Sequence, residues 1–338
     1  MKTGFWPGPA CRAAGTCSSM ADMSALNHQL SLSAPLFLLV LAGYLLARVG
    51  GWPRNVSEAL SRFVFTVAMP AMLFHLMSNL SRLPAVDPRV LLAFFGSCLI
   101  VFGLGRLVGW RLFGLDGVAQ SVFALGGVFS NNVMLGVPLA RLLLGEAALP
   151  TVALVLVFNA LILWTLVTVS VEWARHGQLS AHGFARTARG VLSNPQIVAI
   201  LSGTLCGIVF QRHGLALPAF IDATLGMIAD TAAPMALIAL GMSLAWFSVR
   251  EGWAQSVAIS MLKLVVQPLV VWGLAHALGL SALETQAVVL LGSIAVGVNV
   301  YMMASQFRVI EGAIAGSLVL STLMSALSTP VLLALTAG

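Results

Sequence analysis

Charge is scarce in this sequence. Lysine, arginine, aspartate and glutamate make up 8% of its 338 residues, and only 11 residues are acidic. A soluble domain carries about a quarter charged residues, which excludes a chain wetted by water over its whole surface. Cysteine is as rare. The four present, Cys11, Cys17, Cys98 and Cys206, show neither C-x-x-C spacing nor a histidine partner, so no disulfide framework and no metal site is indicated. Enzyme signatures are missing as well: there is no H-E-x-x-H, no pair of intramembrane aspartates and no nucleophile beside a base. No cofactor is expected. The two-fold alternation of a transmembrane barrel is also absent.

What the sequence does have is length of apolar run. Hydrophobic residues are 59% of the chain and the mean hydropathy is +0.99. Apolar stretches of about 20 residues, enough to span a bilayer, follow one another from Ala34 onward. In lipid a helix satisfies its own backbone, so the fold class expected is an all-α polytopic membrane protein. Breaks in the runs place ten spans, near 33–49, 57–79, 89–112, 118–144, 149–173, 190–211, 218–247, 252–279, 284–306 and 312–336. Residues 1–30, rich in Gly, Ser and Pro, are expected to form a disordered extension. The remainder divides into a first five-helix unit at 31–175, a cytoplasmic loop at 176–189 and a second unit at 190–338. Lys and Arg number ten in the loops after odd-numbered spans against six on the other side, which puts both termini outside a bacterial inner membrane. The net charge of +6 therefore reports topology, with lipid and not nucleic acid as the surrounding partner.

The two units resemble one another. S-A-P-x7-G (Ser33, Pro35, Gly43) in span 1 matches S-N-P-x7-G (Ser193, Pro195, Gly203) in span 6, an offset of 160. The segment around Pro70 in span 2 matches that around Pro234 in span 7 at 164. Gln120, Val122, Leu125 and Gly126 match Gln286, Val288, Leu291 and Gly292 at 166, an offset that persists to Ala160 and Ala326. Offsets that grow in order indicate duplication. Five helices per unit is odd, so the second copy is expected to enter the membrane inverted. Inverted repeats of this kind are a transporter architecture, with the substrate near the midplane where two helices break.

Each unit offers one break. Span 4 carries Asn131 and Asn132 followed by Gly136 and Pro138, and span 9 carries Gly292, Gly297 and Asn299 at the corresponding depth. Amides and exposed N–H groups at a half-helix N-terminus suit an anion, whereas packing of small residues is the bland reading of the same pattern. A cation antiporter would want carboxylates at the crossing, and spans 4 and 9 hold none near their breaks. Lys263, five residues before Pro268 in span 8, is either a site residue or a lysine reaching the membrane edge. His75 after Pro70 and Asp230 before Pro234 are candidates to carry a coupling proton or to serve as packed helix residues. Pro70 and Pro234 themselves mark a scaffold or hinge.

Taken together, N-x4-G-V-P-L-x-R from Asn131 to Arg141, N-P at Asn194, A-A-P-M-A-L-I-A-L-G-M-S-L from Ala232, K-L-V-V-Q-P-L from Lys263 and G-V-N-V-Y from Gly297 resemble the auxin efflux carrier family. The resemblance implies two inverted five-helix repeats, spans 4 and 9 broken and crossing at the midplane, and spans 1, 2, 6 and 7 as a scaffold for an elevator-like mechanism. It implies a carrier of small carboxylates such as malonate or malate, of the bacterial type, with Asn131, Asn299, Gly136, Pro138 and Lys263 at the substrate; Asn132, less regular in that family, and Gly297 join them as substrate-binding candidates by their place at the breaks. Protons or sodium ions are the coupling ions it leaves open, and a homodimer is compatible with it. The alternatives are a cation-coupled symporter or antiporter for another solute, a membrane enzyme, and a channel or receptor.

Overall fold

The computed structural model describes residues 34–78, 87–176, 195–213, 215–247 and 252–336. The expected extension at 1–30, all but the first residue of the expected loop at 176–189, and Asn194 lie outside these residues. Every regular element among the described residues is a helix: α1 (Ala34–Arg48), α2 (Arg54–Ser78), α3 (Arg89–Phe113), α4 (Gly117–Gly126), α5 (Asn132–Leu144), α6 (Leu149–His176), α7 (Pro195–His213), α8 (Ala219–Leu244), α9 (Trp253–Ala277), α10 (Ala282–Ser293), α11 (Val298–Phe307) and α12 (Glu311–Thr336). Six of them, α2, α3, α6, α8, α9 and α12, are long and apolar enough to cross a membrane.

Three helices contain a single π turn, and each turn ends two residues before a proline: Val64–Ala68 before Pro70, Asn132–Gly136 before Pro138, Leu262–Val266 before Pro268. A proline ring collides with the carbonyl four residues back and donates no hydrogen bond. Widening the turn that holds this carbonyl lets the helix continue through the proline. Gly136 and Pro138 accordingly lie inside α5, beyond the break in the helix and not at it. Pro234 sits within α8 without a π turn.

The helices pack as two groups. α2 lies against α7 and α8, and α1 crosses α8; the other eight pack among themselves, α9 against α3, α10 and α12, and α4 against α3 and α6. The first group is closed by glycines. A Cβ on Gly43 would stand 2.1 Å from the Ile238 carbonyl oxygen of α8, and one on Gly203 of α7 would stand 2.7 Å from the Phe74 carbonyl oxygen of α2. Without much hydrophobic force between helices in lipid, such close backbone approach supplies the dispersion contact that holds them. The groups meet where α5 faces α8 and where α6 faces α7.

At the ends of the helices, Asp87 joins the start of α3 to the first turn of α10. Its backbone N–H donates to Glu284 Oε1 at 2.9 Å, and its carboxylate accepts from Arg89 Nε at 2.7 Å. The Arg89 side chain, then its backbone N–H, hold the Asp87 carboxyl below the usual carboxylate range. Arg89 also donates to the Leu278 carbonyl at 2.8 Å.

Gly241 gives the sharpest test of the first group. Its added Cβ would lie 1.9 Å from the Val40 carbonyl oxygen. Gly241→Ala is expected to cost at least the ~3 kcal/mol at the upper end of ordinary overpacking, read as a fall in the Tm of the purified protein. Gly103→Ala, where nothing lies within 4 Å, keeps the wild-type Tm.

Candidate functional site

Between α4 and α5 the chain leaves the helix at Gly127–Asn131, and between α10 and α11 it does so at Ile294–Gly297. In hydrocarbon the N–H and C=O groups freed by a break must find partners, each unsatisfied group costing several kcal/mol. The two breaks satisfy each other. Asn131 N–H donates to the Ala295 carbonyl at 2.9 Å and Gly297 N–H to the Phe129 carbonyl at 2.8 Å, forming one antiparallel bridge between Ser130 and Val296. Ser130 and Val296 are 166 residues apart, and at that same offset each of the two hydrogen bonds is the image of the other. Glycine at 297 lets the two breaks approach closely: a Cβ there would meet Phe129 Cδ1 at 2.9 Å and the Ser130 carbonyl oxygen at 3.0 Å, so its neighbours would have to shift.

The far ends of the broken helices are fully capped. Asp116 accepts from Val118 and Ala119 at the start of α4, and Ser281 with Glu284 forms a capping box at the start of α10. The inner ends are not. Asn131 occupies the N-cap of α5, a position where asparagine ordinarily accepts a first-turn N–H, yet its side chain makes no such bond. Gly297 at the N-cap of α11 has no side chain to offer. Two helix N-termini, each the positive end of a dipole, are therefore left open towards one place.

That place is a cavity of about 140 Å³, bounded by Asn131, Asn132, Asn159, Gln196, Gly297 and Asn299, with Phe65, Leu156 and Ile200 as apolar wall. Four buried amide atoms, Asn131 Nδ2, both of Asn132 and Asn159 Oδ1, have no hydrogen-bond partner among the described residues. Each such group left unpaired costs about 1–3 kcal/mol. The wall comes from both helix groups: Phe65 of α2 and Gln196 and Ile200 of α7 on one side, the breaks and α6 on the other. Among the described residues no ionisable side chain lines it.

Ionisable groups gather in a second cavity, of about 340 Å³, also between the groups, lined by His75, Arg141, Glu146, Asp222 and Asp230. His75 Nε2 and Asp222 Oδ1 are 3.0 Å apart. Arg141 of α5 donates to Glu146 at 3.2 Å and stands 3.9 Å from Asp230 of α8. His75 and Asp230, singled out by sequence, thus share a cavity but not a contact, and the histidine's acidic neighbour is Asp222.

Comparison with known proteins bears on this arrangement. A family model described as "Membrane transport protein" matches residues 30–333. The chain belongs to this family, that of the auxin efflux carriers. It is 28% identical to a "Putative malonate transporter" of Rhizobium meliloti over 87% of this chain and 91% of that one. It is 24% identical to an uncharacterised transporter of Methanothermobacter thermautotrophicus (87% and 93% covered) and 20% identical to auxin efflux carrier component 8 of Arabidopsis thaliana (84% and 90%). The protein is a membrane transporter and not an enzyme.

Lys263 of this transporter is not at the cavity and does not reach the membrane edge. It is fully buried in the π turn of α9, where Nζ donates to Gln267 Oε1 at 2.6 Å and to the Gly292 carbonyl at the end of α10. Gln267 passes the connection on, its Nε2 donating to the Val128 carbonyl at 3.2 Å. One side-chain pair thereby ties both breaks of the carrier to α9. Asn159 and Gln196 line the cavity although sequence reasoning did not select them; the only signal was a lone amide in an apolar span for one, and proximity to the Asn194–Pro195 motif for the other.

Replacing Lys263 leaves the Gly292 carbonyl and Gln267 Oε1 without their donor. Lys263→Met is expected to lose about 1–3 kcal/mol per orphaned group, and Lys263→Met/Gln267→Leu to lose less than the sum of the single variants, because both act in one network. Thermal unfolding of the three variants measures this; strict additivity would show that the two residues do not act together.

Proposed function

We propose that this transporter carries small organic carboxylates, of the size of malonate or malate, bound between the open N-termini of α5 and α11. The observation that carries the reading is the convergence of two uncapped helix N-termini and of the unpartnered amides of Asn131, Asn132 and Asn159, with Asn299 beside them, on one cavity that no charged side chain among the described residues lines. N–H groups and amide NH2 groups are donors, and donors backed by positive helix ends favour an anion. A cavity of about 140 Å³ lies well below the size of a drug-sized pocket and suits a short-chain acid. The Rhizobium relative, named for malonate, points to the same class.

In this reading α4–α5 and α10–α11 are spans 4 and 9 of a ten-span, inverted-repeat carrier, crossing near the midplane. Two features support the inversion. The bridge pairs Ser130 with its own repeat equivalent, as a two-fold axis through the crossing requires. The contact of Gly43 with Ile238 is also the repeat image of that between Gly203 and Phe74, at offsets of 160 and 164. The α1, α2, α7, α8 group is the scaffold, and the other group carries the acid past it in an elevator-like motion. Both termini face outward, and the acidic second cavity lies on that side of the site. Proton coupling runs through His75 and Asp222 there, with Asp230 held by Arg141.

Thermal stabilisation across a panel of mono- and dicarboxylates tests this. The wild type is expected to be stabilised selectively by malonate or malate, and Asn131→Ala to lose the shift while keeping its own unliganded Tm within a few degrees. Stabilisation by a neutral or cationic solute alone would contradict the anion reading, and an unchanged shift in Asn131→Ala would remove the site.

A further inference from the structure

The second break has supports that the first lacks. On α12, the buried Ser321 hydroxyl accepts from the Val296 N–H at 3.0 Å, and the buried Thr329 hydroxyl donates to the Ser293 carbonyl at 3.0 Å. The two bonds lie eight residues apart, roughly two helical turns, on one face of α12. Between them they fix the last residue of α10 and the residue just before the N-cap of α11. Ser321 also donates to Leu318 at 3.4 Å, which turns its lone pair towards Val296.

At the offset of 166 the counterparts on α6 are Val155 and Leu163, which have no hydroxyl, and the residue between them, opposite Ser325, is Asn159. α6 has thus turned a polar side chain into the cavity where α12 has turned its polar side chains to the backbone of the break. Val296 N–H is held by Ser321 and Gly297 N–H by Phe129, while the N–H groups of Val298 and Asn299, in the first turn of α11 and lining the cavity, have no backbone acceptor among the described residues. The α11 end is held by hydroxyls of α12; the α5 end depends on the bridge, on Gln267 and on the Ser130 hydroxyl, which donates to the Leu291 carbonyl of α10 at 2.6 Å.

We infer that Ser321 and Thr329 are positioning residues for the solute: they aim the N-terminus of α11 at the cavity without touching what binds there. The inference rests on the proposed site. Losing a positioning hydrogen bond corresponds to about a tenfold change in affinity.

Thr329→Val keeps the shape and removes the hydroxyl, Thr329→Ser keeps the hydroxyl, and Ser321→Ala removes the other bond. Two measurements are made on the full-length protein: the malonate or malate concentration that half-saturates the thermal shift, and amide hydrogen exchange over residues 294–299. Expected is about a tenfold rise in half-saturating acid for Thr329→Val and Ser321→Ala, faster exchange confined to 294–299, and wild-type behaviour of Thr329→Ser. Unchanged half-saturation and exchange in both hydroxyl-free variants would overturn the inference, as would a loss of unliganded stability with affinity and local exchange intact. If the wild type itself shifts with no acid, the anion reading has failed, and exchange over 294–299 alone decides whether the hydroxyls hold this segment.

Discussion

Everything at the centre of the molecule depends on one antiparallel bridge of two backbone hydrogen bonds, Asn131 to Ala295 and Gly297 to Phe129. A helix may break inside a bilayer only if another piece of protein takes up the freed backbone groups. Here the taker is a second broken helix with the same need, so each break is the solution to the other. The arrangement favours a glycine at 297, where the two breaks approach closely, and it leaves the first turns of α5 and α11 open on the same side. Lys263 and Gln267 then fasten the carbonyls on either side, Gly292 and Val128, to α9.

The contrast between capped and uncapped ends gives this local geometry a chemical direction. The sequence places Asp116 and Ser281 where α4 and α10 begin, so those termini are spent. It places asparagine and glycine where α5 and α11 begin, and the asparagine does not cap. Unsatisfied donors are thereby concentrated at one point, while the walls from α2 and α7 belong to the group of helices that does not contain the breaks. In the proposed mechanism a solute held there would bridge two groups of helices that pack mainly within themselves.

Much of this was legible in the residues, though unevenly. Apolar runs announce helices that can span a membrane, and the polar interruptions at Asn131 and Asn299 fall where the chain re-enters the helix at α5 and α11. Prolines misled about where the helix breaks: Pro138 can be absorbed by a π turn, and only the three-dimensional course shows that the chain leaves the helix seven residues earlier. Asn159 reads as a packed amide until α6 is seen to face α7. Lys263 shows the opposite limit. An intramembrane lysine signals importance, but which carbonyls it meets depends on an approach between α9 and α10 that no local pattern encodes. Asp222 escaped notice because its partner, His75, is 147 residues away.

The central claim is that the two open helix N-termini together hold an organic anion. A structure of the transporter in lipid nanodiscs, determined by electron cryo-microscopy with saturating malonate or malate, tests it most directly. The account predicts density for the acid between Asn131 and Asn299, within hydrogen-bonding distance of first-turn N–H groups of both α5 and α11. An acid bound instead at Arg141 in the acidic cavity, with the space between the two N-termini filled only by water, would contradict it.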